Sequence, residues 1–272
     1  MSLRHIYRDF LVRRCLRRGT AFDEAALRRP AFILAPHPDD ETFGCGGTIV
    51  RKLAAGATIH VIVMTDGSRA PASAAPADLA EVRWAETLEA ARELGLDATY
   101  CHFLDSPDGA LAAHLGNAVE QLVALFEEWP AEQLFLPYRA DGHPDHIATA
   151  EAGFRAARLA GRKFEVYEYP VWAWRHWPWV GLRLPYGHEF SPWRTSMRFA
   201  FGLRFTSSFT TVSDVRAVAS AKSAAALAHG SQMREGVPAG GWSMRIVSRG
   251  DLLETLLGPI EVFKRSTVGD DA

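Results

Sequence analysis

The chain has 272 residues, 48% of them apolar, which is enough for a sizeable core and makes a single α/β domain the simplest organisation. A formal net charge of −2 gives no overall basic field, so a dedicated nucleic-acid binder is excluded and the expected partner is a small molecule. Three cysteines, Cys15, Cys45 and Cys101, show no CxxC spacing, which excludes a disulfide framework and a thiolate zinc site and fits a reducing cytoplasm.

The segment MSLRHIYRDFLVRRCLRRG carries charges every few residues, so neither a secretion signal nor a membrane span is expected there. Leu3, Ile6, Tyr7, Phe10 and Leu11 follow helical spacing opposite Arg8, Arg14, Arg17 and Arg18. This basic amphipathic helix either lies on an anionic membrane or packs on the domain with its arginines in water. Residues 1–28 are taken as this N-terminal segment, and 29–272 as one α/β domain with a Trp-rich insertion at about 171–205. AFILA (31–35) reads as a first strand, followed by a helix through GTIVRKLAAG that stops at Gly56. ATIHVIVMTDG (57–67) is a strand buried on both faces. A small-residue loop, SRAPASAAPA, leads to a helix over 78–95. Strand 99–104, helix 116–128, strand 132–138, helix 146–160 and strand 163–172 complete the alternation. The pattern predicts a Rossmann-like doubly wound sheet, mostly parallel, in a three-layer α/β/α arrangement. Ligands of such sheets gather at the carboxyl ends of the strands.

Two polar clusters fall at such ends. The first strand runs into HPDDE, with His37, Asp39, Asp40 and Glu41, and the strand at 132–138 is followed by RADGHPDH, with His143, Asp145 and His146. Either cluster alone also reads as helix capping with solvated side chains. Together they can converge as the nitrogen and oxygen ligands of a catalytic metal that keeps one position open for water. Residues three apart, His37 with Asp40 and His143 with His146, can face one side, while Asp39 points elsewhere and is free to take a proton.

These motifs, with TDG ending the second strand, Arg83-x-x-Glu86 before AARELG, PDG at 107–109 and KSAAALAHGSQ at 222–232, resemble the PIG-L/LmbE-like family of metal-dependent N-deacetylases. The resemblance spans about 31–232. It implies Zn²⁺, or another divalent ion such as Fe²⁺, bound by His37, Asp40 and His146. It also implies Asp39 as general base, His143 as oxyanion stabiliser tuned by Asp145, and Arg83 and Asp108 as sugar-binding residues. Some members place a tyrosine two residues before the HPDH histidine as a further oxyanion donor. This chain has Asp141 there, which is assigned to the substrate side and leaves more of that role to His143. The implied reaction removes acetyl from an N-acetylglucosamine-type glycoconjugate. An amidase for another N-acyl or thiol-sugar conjugate and a non-catalytic sugar- or lipid-binding member remain as alternatives.

The stretch 171–193 holds Trp172, Trp174, Trp177, Trp179 and Trp193, five of eight tryptophans. Sugar stacking, a lipid interface, dimer contact and core packing all use such rings. The open partners are therefore a soluble or lipid-linked amino sugar, the inner face of a membrane and a second subunit. Arg175, His176 and Arg183 interrupt the run, so it cannot span a bilayer. His102, His114, His176 and His188 stand outside ligand-like clusters and read as surface or satisfied core residues. Cys45, in FGCGG, reads as one of several small residues for close helix packing. Lys222, Ser231 and Gln232 read as pocket wall.

Overall fold

The computed structural model describes residues 2–69, 76–182, 192–234 and 243–269. Most of the alanine-rich loop, Arg183 and His188 lie outside the described residues. The chain begins with α1 (Leu3–Arg18), β1 (Thr20–Ala21), α2 (Glu24–Arg28), β2 (Ala31–Ala35), α3 (Asp40–Ala54), β3 (Ile59–Thr65) and α4 (Pro76–Glu93). It continues through β4 (Cys101–Ser106), α5 (Leu115–Glu128), β5 (Gln133–Pro137), α6 (Pro144–Leu159) and β6 (Phe164–Tyr169). It closes with α7 (Pro192–Arg198), α8 (Leu203–Ser208), β7 (Thr211–Asp214), α9 (Ala219–Ala228), α10 (Asp251–Leu256) and β8 (Ile260–Val268).

Among the described residues the strands form one eight-stranded sheet of order β1-β7-β8-β6-β5-β2-β3-β4. Every pairing is parallel except those of β8, which runs antiparallel to both β6 and β7. The five strands expected from periodicity are β2 to β6. The other three come from short or half-polar segments: β8 is buried over its first four residues and alternates half-buried and exposed positions only from Lys264 to Thr267.

From β2 the chain winds one way into β3 and β4, and from β5 the other way into β6, so the order reverses between neighbouring strands β2 and β5. That reversal opens a crevice at the carboxyl ends of these two strands, which are the strands that the two polar clusters follow.

Alternation along β2 divides its side chains between the two cores. Phe32 and Leu34 face Phe126, Leu122 and Ala152 of α5 and α6, whereas Ile33 and Ala35 face Phe43 and Ile49 of α3. The glycines of FGCGG let α3 lie close to its neighbours. A Cβ on Gly44 would fall 2.3 Å from the Tyr169 ring and one on Gly47 would fall 2.4 Å from Val215, while Cys45 is fully buried between them. Lys52 of α3 is also buried. Its ammonium donates to the carbonyls of Ala26, Leu27 and Arg29 and to Gln133 Oε1, which satisfies the open carbonyl end of α2.

The N-terminal helix packs differently from the face expected for it. Leu11 and Cys15 are buried and Tyr7 is half-buried, whereas Leu3, Ile6 and Phe10 point to solvent. Arg8, expected among the solvated arginines, pairs with Glu254 at 2.8 Å, and Arg4 pairs with Asp251 at 2.6 Å. Tyr7, Leu11, Val12 and Cys15 meet the domain core, and the two ion pairs flank them. Of the tryptophans, Trp174 and Trp179 are core residues packed with Phe205, Trp172 and Trp177 are half-buried, and Trp193 is 53% exposed. No helix among the described residues is long and apolar enough to cross a membrane.

Candidate active site

The turn after β2 places His37 just before the amino end of α3, where Asp40 forms the first residue of the helix. The Asp40 carboxylate accepts from the His37 backbone N–H at 3.1 Å, and the positive helix end favours its charge. Its Oδ2 also lies 3.1 Å from His37 Nδ1 and, across the β2/β5 crevice, 3.2 Å from His146 Nε2. His146 reaches that point because His143 caps α6 and Pro144 starts it, which puts residue 146 in the first turn. His37 Nδ1 and His146 Nε2 thus both face Asp40 Oδ2.

The far nitrogen of each imidazole meets a carboxylate. His37 Nε2 lies 3.2 Å from Asp145 and 3.4 Å from Asp108, and His146 Nδ1 lies 2.9 Å from Asp141. This is the arrangement in which a carboxylate fixes the tautomer and orientation of a metal-binding histidine. The charges follow the geometry. Burial lowers the pKa of His37 and His146, but Asp108, Asp145 and Asp40 raise the first well above its usual value, and Asp40 and Asp141 bring the second up to about 9. Burial likewise opposes ionisation of Asp40, yet the two imidazoles hold it far below the usual carboxylate range. The pocket therefore gathers more carboxylate than its own cations balance, and the imidazoles take up protons in compensation. A divalent cation would replace those protons, drawing on His146 Nε2 and on the Asp40 Oδ2 that lies 3.2 Å from it. By donor type and arrangement the residues fit a divalent metal.

Asp39 stands apart from this set. Its φ of 129° is a strained backbone conformation for a side-chain-bearing residue. Its Oδ2 accepts from Gln232 Nε2 at 2.6 Å, and its backbone N–H donates to Glu41, whose other oxygen lies 3.0 Å from His229 Nε2. Burial, then the neighbouring Asp40 and Glu41, push its carboxyl well above the usual range. The supports come from the stretch after α9, which Ser231 pins to α4 by two 2.6 Å bonds to Glu86. Gln232 thus holds the expected base, a closer role than pocket wall, while Lys222 is a buried structural partner of Glu261 at 2.7 Å. The sequence marks Glu41 only as part of the first polar cluster and Gln232 only as pocket wall, and His229 carries no signal beyond its place in the family-like stretch 222–232.

A cleft of about 510 Å³ opens over the cluster, bordered by His37, Asp39, Asp40, Arg83, Asp108 and His143, with Arg69, Gly109, Trp172, Gln232 and Met244 completing the wall. The Asp145 backbone N–H donates to His143 Nδ1 at 3.3 Å, leaving Nε2 to carry the proton. Burial, together with the charges on His37 and His146, pushes the pKa of His143 down to about 4, so its ring is a neutral donor. Arg83 pairs with Asp108 at 3.7 Å on the opposite wall, and Asp108 accepts from the Arg69 backbone N–H.

Two expectations are corrected. Asp141 does not line the cleft: it is buried, and besides holding His146 it accepts the backbone N–H groups of Val171, Trp172 and Ala173 at 2.8–3.0 Å. These bonds use up its oxygens, so it orients a ligand histidine and the Trp172 loop rather than touching substrate. The carboxylate of Asp145 is directed to His37 and to the N–H groups of Gly109 and Leu111 rather than to His143, because its place in the first turn of α6 turns it toward the PDG loop.

The family model described as PIG-L, GlcNAc-PI de-N-acetylase, matches residues 32–157, a span that holds both clusters. The 1D-myo-inositol 2-acetamido-2-deoxy-alpha-D-glucopyranoside deacetylase of Rhodococcus erythropolis is 32% identical over 242 residues, covering 76% of this chain and 82% of that protein. The diacetylchitobiose deacetylase of Thermococcus kodakarensis is 32% identical over 139 residues, which take in 49% of this chain and about half, 51%, of the relative. Among solved structures, the N,N'-diacetylchitobiose deacetylase of Pyrococcus horikoshii superposes with a TM-score of 0.63 at 17% identity, over 98% of this chain and 93% of that one, and shows the same fold. By sequence match over most of its length, the chain belongs to the PIG-L family.

Proposed function

We propose that the protein is a divalent-metal-dependent amide hydrolase that removes the acetyl group from an N-acetylglucosamine-type conjugate, releasing acetate and a free amino sugar, and that it works in the cytoplasm. One observation carries this reading. Asp40 Oδ2 stands between His37 Nδ1 and His146 Nε2 while Asp39, one residue away, is turned out of that set and held by Gln232. A binding protein needs no such base beside a ligand set.

Zinc or ferrous iron on His37, Asp40 and His146 would supply Lewis-acid polarisation of the acyl oxygen and acidify a water, since mixed imidazole and carboxylate sites accept either ion. Asp39 takes the proton of the attacking water and passes it to the leaving nitrogen as the amide C–N bond breaks. His143 Nε2–H donates to the oxyanion of the tetrahedral intermediate, a contribution of about 3 kcal/mol for a donor of this kind. Arg83 and Asp108 face the cleft as a cation and an acceptor suited to sugar hydroxyls. The relatives' substrates, a chitobiose and an inositol-linked glucosamine, support an amino-sugar conjugate.

The test is acetate release by zinc- or iron-loaded protein from N-acetylglucosamine, diacetylchitobiose and the inositol conjugate, alongside other N-acyl and thiol-sugar conjugates. Acetate from the acetylated sugars supports the reading, and release of a different acyl group alone, or of none, overturns it.

A further inference from the structure

On the outward face of α1, Leu3, Ile6 and Phe10 are 77%, 54% and 47% exposed at the spacing that lines one side of a helix. The same stripe continues into exposed Arg13 and Arg17. The other side of the helix is already engaged through Leu11, Cys15, Arg4 and Arg8. A ladder of rings carries the apolar surface onward: Tyr7 meets Phe10 at 6.0 Å and Trp177 at 5.0 Å, Trp177 meets Phe201 at 5.9 Å, and Phe201 meets Trp193 at 5.9 Å. On α7 at the end of the ladder, Trp193 and Met197, one turn apart, are 53% and 66% exposed.

Charge singles out the occupant. Residues 192–208 contain Arg194, Arg198 and Arg204 and no acid, and the one acid of α1 is Asp9. In a chain of net charge −2 this is a local concentration of positive charge interleaved with exposed apolar groups. The core of a protein–protein interface is depleted of charge, and a two-fold dimer through this face would set the same arginines against each other.

We propose that the outward face of α1 and α7 docks on an anionic lipid bilayer, with its apolar side chains below the headgroups and its arginines on the lipid phosphates. Aromatic rings with a polar edge favour that depth, and a helix about 24 Å long lies in the interface rather than crossing a hydrocarbon core of about 30 Å. Trp172 borders the cleft and Trp177 belongs to the ring ladder, and a chain of five residues reaches at most about 18 Å. Docking therefore holds the cleft close to the headgroups. A conjugate anchored in the bilayer would then lie within reach, a consequence that rests on the amide-hydrolase reading, whereas the docking does not.

The experiment is co-sedimentation of the full chain with vesicles of phosphatidylcholine alone or mixed with phosphatidylglycerol. The protein should pellet with the anionic vesicles and not with the neutral ones, and most binding should be lost between about 0.05 M and about 0.5 M salt. The double variant Ile6→Asp/Trp193→Asp should stay in the supernatant while keeping its thermal unfolding midpoint, and Arg13→Glu/Arg17→Glu should weaken binding at least about fivefold per arginine. Three results overturn the proposal: wild-type protein that ignores anionic vesicles, variants that bind as well as wild type, and a dimer that the Ile6→Asp/Trp193→Asp variant splits into monomers. Binding is read without turnover, so failure of the proposed reaction would not be mistaken for failure of docking.

Discussion

The crevice between β2 and β5 and the outward face of α1 and α7 break the same rule in opposite senses. The first buries charged groups that elsewhere stay in water: Asp39, Asp40, Arg83, Asp141, Asp145 and His146 are all at most 6% exposed. The second leaves large apolar groups in water, with Leu3 and Met197 more than 60% exposed. Ordinary folding free energy favours neither, and buried polar groups and exposed apolar patches are the departures that carry information. In the crevice, however, nearly every buried charge has a partner, so the site is rigid and its chemistry is set by geometry. On the outward face the groups have few partners, and its energy is left to be gained on contact.

The sharpest way to break this contrast is to remove the base. Asp39→Asn should lower the rate of acetate release by about 10²–10⁴-fold while metal content stays near wild type. Asp39→Gly should lose activity equally and melt at a higher temperature, because the φ of 129° costs glycine little and a buried carboxylate disappears. Equal activity in Asp39→Asn would remove the base from the mechanism.

Next in size, Asp141→Asn should weaken metal binding by about 10–100-fold, since it removes the charge behind His146 Nδ1 without touching the cleft, and metal titration measures it. Undiminished affinity would return Asp141 to a purely structural part in the Trp172 loop.

On the stability side, Leu11→Ala should cost about 2–5 kcal/mol in denaturant unfolding, because Leu11 is fully buried. Ile6→Ala, on the same helix but 54% exposed, should stay within about 0.5 kcal/mol. Equal costs would mean that the outward face is buried in the free protein.

A pH dependence arises outside the site. Burial pushes His176 down to about 3, and burial with the neighbouring His102 pushes His60 down to about 4, so the fold refuses protons that the unfolded chain accepts below about 6.5. Unfolding is therefore favoured as pH falls through that window, and the thermal midpoint should drop from pH 6.5 toward pH 4. His176→Phe should flatten the slope, and an unchanged slope would show that other groups set it.

Long periodic segments were legible. β2 to β6 and the helices after β3 appear within a few residues of their expected bounds, because a strand covered on both faces must be apolar and an amphipathic helix repeats every 3.6 residues; α3 instead starts at Asp40, well before the expected Gly47. The two-residue β1 and the polar-alternating β8 were not, since their pairing depends on neighbours far along the chain. In the site, His37, Asp39, Asp40, His143 and His146 declared themselves as two dense clusters at strand ends. Gln232 and His229 did not, because they reach Asp39 and Glu41 from about 190 positions away and nothing in their local spacing marks them.

The sequence by itself determined the alternation of strands and helices, and with it the strand ends to which the charged clusters belong, because local periodicity and turn chemistry act over a few residues. Only the tertiary structure decided which carboxylate faces which imidazole and which side of the first helix meets water. Asp141 became the partner of His146, Asp145 that of His37, and Leu3, Ile6 and Phe10 were left outside. Those choices depend on through-space distances of a few ångströms between segments distant in the chain, and no local pattern encodes them.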